Sequence, residues 1–354
     1  MLIRVSTRLK KQSLDALLVL VSIAFGILAL EGISRVISPL SPGARNLSIE
    51  GKVISPISEN PFRLMAGLVY RQVSSEFDVR ITIDRYGNRV PEPEGMPLVV
   101  FLGDSFTFGH GVRDEDTFVF VLCKTLKVSC GNLGRSGTGT KAQLDTLEHY
   151  IETEEWRPRV VILVVLAMTS AFSAGNDLLD NYNTLVSRRS QKNSESGAPN
   201  GEQANSATLA NYFLRLFRVL LEWSNLARNV QYTIGPWLRS SFALIPETSV
   251  YRDALSETKQ QFRRFVQMSN VYDFVPRVIV LHPIHDILRG TSDQTLRELK
   301  GLHESLIVEG TAPAFSDDPT EYYFPLDGHF NSNGSHKAAE FLLSQIGHLI
   351  VEGN

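Results

Sequence analysis

The chain has 354 residues, 43% apolar and 21% charged, with 35 Lys and Arg against 38 Asp and Glu for a formal net charge of −3. These values exclude wholesale disorder, collagen-like repeats and a multi-span membrane protein, and there is no basic excess to neutralise phosphates, which argues against a nucleic-acid partner. Two cysteines cannot build a disulfide scaffold or a four-cysteine zinc site. At ~100–200 residues per domain the length fits one large domain or two.

The N-terminus sets the compartment. Arg4, Arg8, Lys10 and Lys11 precede an uncharged run, Ala16–Leu30, bracketed by Asp15 and Glu31. Fifteen helical residues span ~22 Å, short of a ~30 Å hydrocarbon core, and a helix continuing through Ile33, Val36 and Ile37 makes up the difference. Glu31 and Arg35, four apart, can pair near an interface. A cleaved secretory signal and an uncleaved anchor both fit. Leu30-Glu31-Gly32 is a poor cleavage site, which favours a transmembrane anchor over residues 1–40. Either reading exports the remainder, because the positive charge lies on the N-terminal side. A buried amphipathic helix fits less well, since the segment is apolar all round. After export, Cys123 and Cys130 are either a short-loop disulfide or two buried thiols.

Residues 41–95 are rich in Pro, Gly and Ser and read as an extended leader on the core, with a strand over Asp78–Asp84 and a turn at Tyr86-Gly87-Asn88. Short apolar runs at Leu98–Leu102, Val160–Ala167 and Val278–Leu281 suit buried parallel strands. Helical patterns fall at Asp116–Leu126, Lys141–Glu155, Ser256–Met268 and about Gly334–Ile350. The alternation predicts an α/β layered fold over 96–354. Ser187–Ala207, which has no aromatic or β-branched residue until Thr208, reads as a flexible loop, and with the Leu-, Phe- and Trp-rich Leu209–Trp237 it forms an insertion at about 184–250, a lid or a surface excursion without a role.

Four short segments carry chemistry. Gly103-Asp104-Ser105-Phe106 follows the first strand, where open α/β sheets place ligands and where a helix N-terminus favours a developing oxyanion. Asp327-Gly328-His329 sets a carboxylate two residues from an imidazole. In an extended segment both point to one side, so the acid could hold Nδ1 and leave Nε2 as a base. Asn132…Gly137 and Gly175-Asn176-Asp177 offer neutral donors for an oxyanion hole. Singly, each has a plain structural reading: a capping serine, a turn aspartate with a capping histidine, tight glycine turns, a turn asparagine.

Together and in this order the segments resemble the SGNH (GDSL-type) hydrolases. Phe106-Thr107-Phe108-Gly109, Asn176–Asn181 and Gly334-Ser335-His336 are close to the membrane-anchored bacterial branch. The resemblance covers about 97–183 and 272–350, and the intervening 184–271 matches nothing we can name. It implies a three-layer α/β/α sandwich with a mainly parallel central sheet, flavodoxin-like. It also implies Ser105 as nucleophile, His329 as general base, Asp327 as its orienting carboxylate, and an oxyanion hole from the Ser105 and Gly137 amides and the Asn176 side chain. No cofactor or metal is expected. Asp-x-His replaces the Asp-x-x-His of many members and is similar to sugar O-acetyltransferases of the alginate type. The long segment Ala167–Ala174 before Asn176 puts that residue's register in question.

Competing motifs fail. Thr107 stands where a Gly-x-Ser-x-Gly elbow needs glycine, and Lys141 is one place late for a phosphate loop, with Ala142 in place of the magnesium-binding hydroxyl. His282-Pro-Ile-His285-Asp286 lacks a further ligand cluster, and His336 is expected in the first turn of the last helix. The expectation is an exported, membrane-tethered serine esterase on the outer side of the bacterial cytoplasmic membrane, acting on an envelope glycan or lipid ester. An O-acyltransferase acting on a polysaccharide and a non-catalytic envelope binding protein are the alternatives. Oligomeric state is not readable from the sequence.

Overall fold

In the computed structural model, the described residues are 2–37, 45–48, 62–166 (except 75 and 92), 224, 226, 227, 230 and 249–351 (except 326). The expected loop over Ser187–Ala207, most of the insertion and Asn176 lie outside them. The chain divides into two units, Met1–Gly43 with Asn200–Trp237, and Ala44–Pro199 with Leu238–Asn354.

The first unit contains α1 (Leu2–Ile37). On it, Glu31 accepts from Arg35 Nε at 2.6 Å, as the four-residue spacing predicted, and also from Ser224 Oγ at 2.7 Å and the Leu226 amide at 2.9 Å. Leu18, Ile23, Phe25, Leu28, Leu30 and Val36 are exposed. Among the described residues no helix is long and apolar enough to cross a membrane. The predicted transmembrane helix is therefore not found there. Its uncharged run ends at Glu31, after only ~22 Å of helix.

The second unit holds a small antiparallel sheet in the order β1 (Arg45–Ser48), β2 (Val69–Val73), β3 (Asp78–Thr82). Its main body runs β4 (Val99–Gly103), α2 (Ser105–Phe108), α3 (Phe118–Leu126), β5 (Cys130–Gly134), α4 (Thr140–Thr153), β6 (Val160–Leu166), α5 (Ser249–Tyr272), β7 (Val275–Leu281), α6 (Ile284–Arg289), α7 (Ser292–Lys300), β8 (Ile307–Gly310) and α8 (Ser332–Val351). The five strands β4 to β8 form an all-parallel sheet in the order β5-β4-β6-β7-β8.

The two-residue period of a strand divides its side chains between two cores. Val100, Leu102, Val161, Leu163, Val278 and Val280 face α4 and α5, where Leu147, Tyr150, Phe262 and Phe265 meet them. Val99, Phe101, Ile162, Val164, Ile279 and Leu281 face α3 and α8, with Phe118, Leu122, Ala339 and Leu342. Every residue of β4 and β6 is buried. Hence these strands read as unbroken apolar runs, and each fully buried Val, Leu or Phe contributes ~1.5–3 kcal/mol. The result is three layers, helices on both faces of a parallel sheet.

Cys123 on α3 and Cys130 at the start of β5 are joined by a disulfide across a Cα separation of 6.1 Å. Arg89 ties the segment after β3 to the loop after α2. It is fully buried, donating to the carbonyls of Phe108 at 2.9 Å, Gly109, and Val112 at 2.6 Å, and to Asp114 Oδ1 at 3.1 Å. Burial lowers its pKa, and Asp114 opposes that shift. Arg89→Met leaves the Phe108 and Val112 carbonyls without their donor and Asp114 Oδ1 with the Thr82 amide alone. It is expected to cost ~3–5 kcal/mol in denaturant unfolding, with loss of the loop that carries His110. An unchanged midpoint would contradict this account of the loop.

Candidate active site

The site forms at the carboxyl edge of the parallel sheet. Gly103 and Gly134 are register partners at the ends of β4 and β5. A Cβ on Gly103 would stand 2.1 Å from Thr107 Oγ1, and one on Gly134 2.3 Å from the Phe108 amide nitrogen. Only glycine lets α2 sit so close over the strand ends. Asn132 locks the arrangement, donating from Nδ2 to the Thr107 carbonyl at 3.1 Å and accepting the Gly134 amide at 3.0 Å.

Asp104, not Ser105, caps α2, its carboxylate accepting from the Phe106 amide at 2.9 Å. The Ser105 hydroxyl is thereby left for other work. Ser105 Oγ lies 2.6 Å from His329 Nε2, and His329 Nδ1 lies 2.5 Å from Asp327 Oδ1. The three residues thus form one continuous hydrogen-bonded chain across 224 residues of sequence.

Asp327 and His329 do not meet through an extended segment, as their two-residue spacing suggested. They sit in a turn with Gly328 at φ +86°, a left-handed conformation that a β-carbon disfavours. The turn is closed by Gly328 N donating to the Phe324 carbonyl at 2.9 Å and Phe324 N to the His329 carbonyl at 2.8 Å. Burial by itself would raise the Asp327 pKa. The His110 ring nitrogen 3.5 Å from Oδ2 and the hydrogen bond from His329 hold the carboxyl well below the usual carboxylate range.

Gly137, with φ +76°, lies in the turn between β5 and α4, and β5 is the sheet neighbour of β4. Asn176 is not among the described residues. His336 lies on the second turn of α8, its Nε2 3.2 Å from Asp116 Oδ1. His282, at the end of β7, is buried with neither ring nitrogen hydrogen-bonded, and burial lowers its pKa to about 4. Neither His282 nor His285 joins a ligand cluster among the described residues; the set close enough to share an ion is His110, Asp327 and His329.

Three residues that the sequence reading passed over line this centre. His110, in the loop after α2, donates its amide to the Ser105 carbonyl at 3.0 Å, and its ring lies 4.5 Å from that of His329. Gln72 on β2 contacts His110 Nδ1 at 2.8 Å. Glu76 accepts the Asp327 amide at 2.6 Å. His110, an imidazole five residues past Ser105 between Gly109 and Gly111, left a faint signal in the sequence. Gln72 and Glu76 left none, because nothing in the sequence joins Gln72 to His110, 38 residues on, or Glu76 to Asp327, 251 residues on.

No family model matches the chain, and no curated protein matches it. Among solved structures it is similar to one described as a lipolytic protein of the G-D-S-L family from Desulfitobacterium hafniense, with 14% identity and a TM-score of 0.35, covering 70% of this chain and 98% of that one. It is also similar to a catalytic mutant of an acetylxylan esterase from Geobacillus stearothermophilus, at 16% and 0.37, covering 73% and 97%. A third is a carbohydrate esterase family 2 enzyme from Corynascus thermopiles (Myceliophthora fergusii), at 10% and 0.36, covering 79% and 71%. Likeness at this level carries no assignment; the weight falls on Ser105, His329 and Asp327.

Asp327→Asn removes the negative charge and offers an amide donor that can pair with His329 Nδ1 in the wrong tautomer, and turnover at Ser105 is expected to fall ~10,000-fold. The depressed carboxyl pKa also has a stability sign. The ionised form stabilises the fold above the ordinary value near 4, and that contribution disappears as pH falls below it. The stability gap between wild type and Asp327→Asn is expected to be widest near pH 7 and to narrow below pH ~4 in denaturant titrations. A gap that widens in acid would contradict the assigned contacts.

Proposed function

We propose that this chain is an SGNH-type serine esterase that cleaves acyl esters through an acyl-Ser105 intermediate. The observation that carries the reading is the unbroken hydrogen-bond chain from Ser105 through His329 to Asp327. His329 takes the Ser105 proton through Nε2 as Oγ attacks the ester carbonyl, and Asp327 stabilises the imidazolium that forms. The oxyanion is held by the Ser105 and Gly137 amides and the Asn176 side chain. His329 then returns the proton to the leaving alcohol. Water attacks the acyl-Ser105 carbonyl to release the acid and regenerate Ser105.

The proposed setting is outside the bacterial cytoplasmic membrane, with the chain tethered through its N-terminus and acting on a cell-envelope glycan or lipid ester. Three features support it. Basic residues precede the uncharged Ala16–Leu30 run. The described part of α1 bears exposed apolar side chains. The Cys123–Cys130 disulfide suits an oxidising compartment. A sugar hydroxyl in place of water as the second-step acceptor would make the same site an O-acyltransferase, and the Asp-x-His spacing favours keeping that reading.

A fluorophosphonate probe is expected to label wild-type protein once per chain and Ser105→Ala not at all. Absence of labelling in folded wild type would leave a binding protein as the better reading. With an acyl ester and a candidate glycan together, release of free acid alone at every glycan concentration identifies the esterase, and acylated glycan identifies the transferase.

A further inference from the structure

The orientation of Gln72 settles the proton positions around His110. Gln72 Oε1 accepts the Gly111 amide at 2.9 Å, and a backbone N–H can only donate. The amide nitrogen of Gln72 must therefore be the atom 2.8 Å from His110 Nδ1. That nitrogen donates, so Nδ1 accepts and the ring hydrogen of neutral His110 sits on Nε2. This Nε2–H faces Asp327 Oδ2 at 3.5 Å, on the side of the carboxylate away from His329.

We propose that His110, held by Gln72, is a positioning residue of the active site: its Nε2–H steadies the second oxygen of Asp327 and keeps the first on His329 Nδ1. The proposal rests on the esterase reading of Ser105, His329 and Asp327. A carboxylate only two residues from its imidazole has one oxygen committed within the turn. The other would be free to rotate the group away from His329 unless something outside the turn holds it. The loop after α2 supplies that hold, and the same loop follows directly from the nucleophile, so one segment positions both ends of the triad.

The groups around the His110 ring are consistent with a neutral imidazole. Asp327 and His329 face it from the turn before α8, Gln72 from β2, and the Phe77 ring edge-on at a centroid distance of 5.3 Å. Burial lowers the His110 pKa, Asp327 opposes this, and the positive charges of His329 and Arg89 add to the lowering. Glu76 reaches the same aspartate through its backbone amide, so Asp327 is held at three points: amide, Oδ1 and Oδ2.

The test measures p-nitrophenyl acetate hydrolysis across pH for wild type, His110→Ala, Gln72→Leu, His110→Gln and Ser105→Ala, with near-UV circular dichroism to fix the folded fraction. His110→Ala is expected to lower kcat ~10–100-fold per folded molecule with KM little changed. The acid limb of kcat/KM should move to higher pH, because Asp327 with one donor fewer holds a proton more strongly on its remaining imidazole partner. Gln72→Leu should shift both quantities in the same direction, and His110→Gln, which restores an amide donor, should recover part of kcat. Wild-type kcat and an unmoved limb in His110→Ala and Gln72→Leu, beside a dead Ser105→Ala, would overturn the positioning role while leaving the esterase standing. So would losses that follow the folded fraction alone. Full activity in Ser105→Ala would instead remove the esterase reading, and this proposal with it.

Discussion

The constraint on which the site depends is the carboxylate of Asp327. Its Oδ1 holds His329 Nδ1 at 2.5 Å, so Nε2 is the only ring nitrogen left for Ser105. If that contact fails, the imidazole can adopt either tautomer and the serine has no fixed base. The carboxylate is partly screened from water, and burial alone would favour its neutral form. It stays charged because donors converge on it, and the cost of partly burying the charge is offset by hydrogen bonds rather than solvent.

The groups of the site come from separated parts of the second unit. The parallel sheet ends in glycines where α2 must come close, which presents Ser105 at the sheet's carboxyl edge. The turn before α8 presents Asp327 and His329, and Gly328 makes its left-handed bend. The small sheet contributes Gln72, and Glu76 follows it in the β2–β3 connection. Buried Arg89 then fastens the loop that carries His110, supplying the donors that its carbonyls would otherwise lack. A segment that reads as an ordinary leader is therefore tied into the active-site wall.

Much of the sheet was legible because buried parallel strands are written as continuous apolar runs. Leu98–Leu102, Val160–Ala167 and Val278–Leu281 correspond to β4, β6 and β7. β5 was not, since Cys-Gly-Asn-Leu-Gly gives up apolar side chains where α2 and Trp156 press against it. β8, four residues long and partly exposed, carries too little pattern to stand out. Of the helices, α3, α4, α5 and α8 were legible from their buried faces, whereas the short α6 and α7 were not. α5, predicted over Ser256–Met268, begins at Ser249, and α3 begins after a tight turn at Asp114–Asp116, with Thr117 as its cap. The Ser105, Asp327 and His329 positions were legible as motifs, but what joins them was not. A turn that depends on one positive φ, and side chains meeting across hundreds of residues, leave no periodic trace.

The most direct test of the central claim is the mass of the protein caught in the act. Wild-type chain mixed with an activated acyl ester and quenched in acid should carry one acyl group, and peptide mapping should place it on Ser105. In His329→Ala the acyl adduct should fail to form within the same interval. An acyl group on another residue, or equal acylation without His329, would contradict the account.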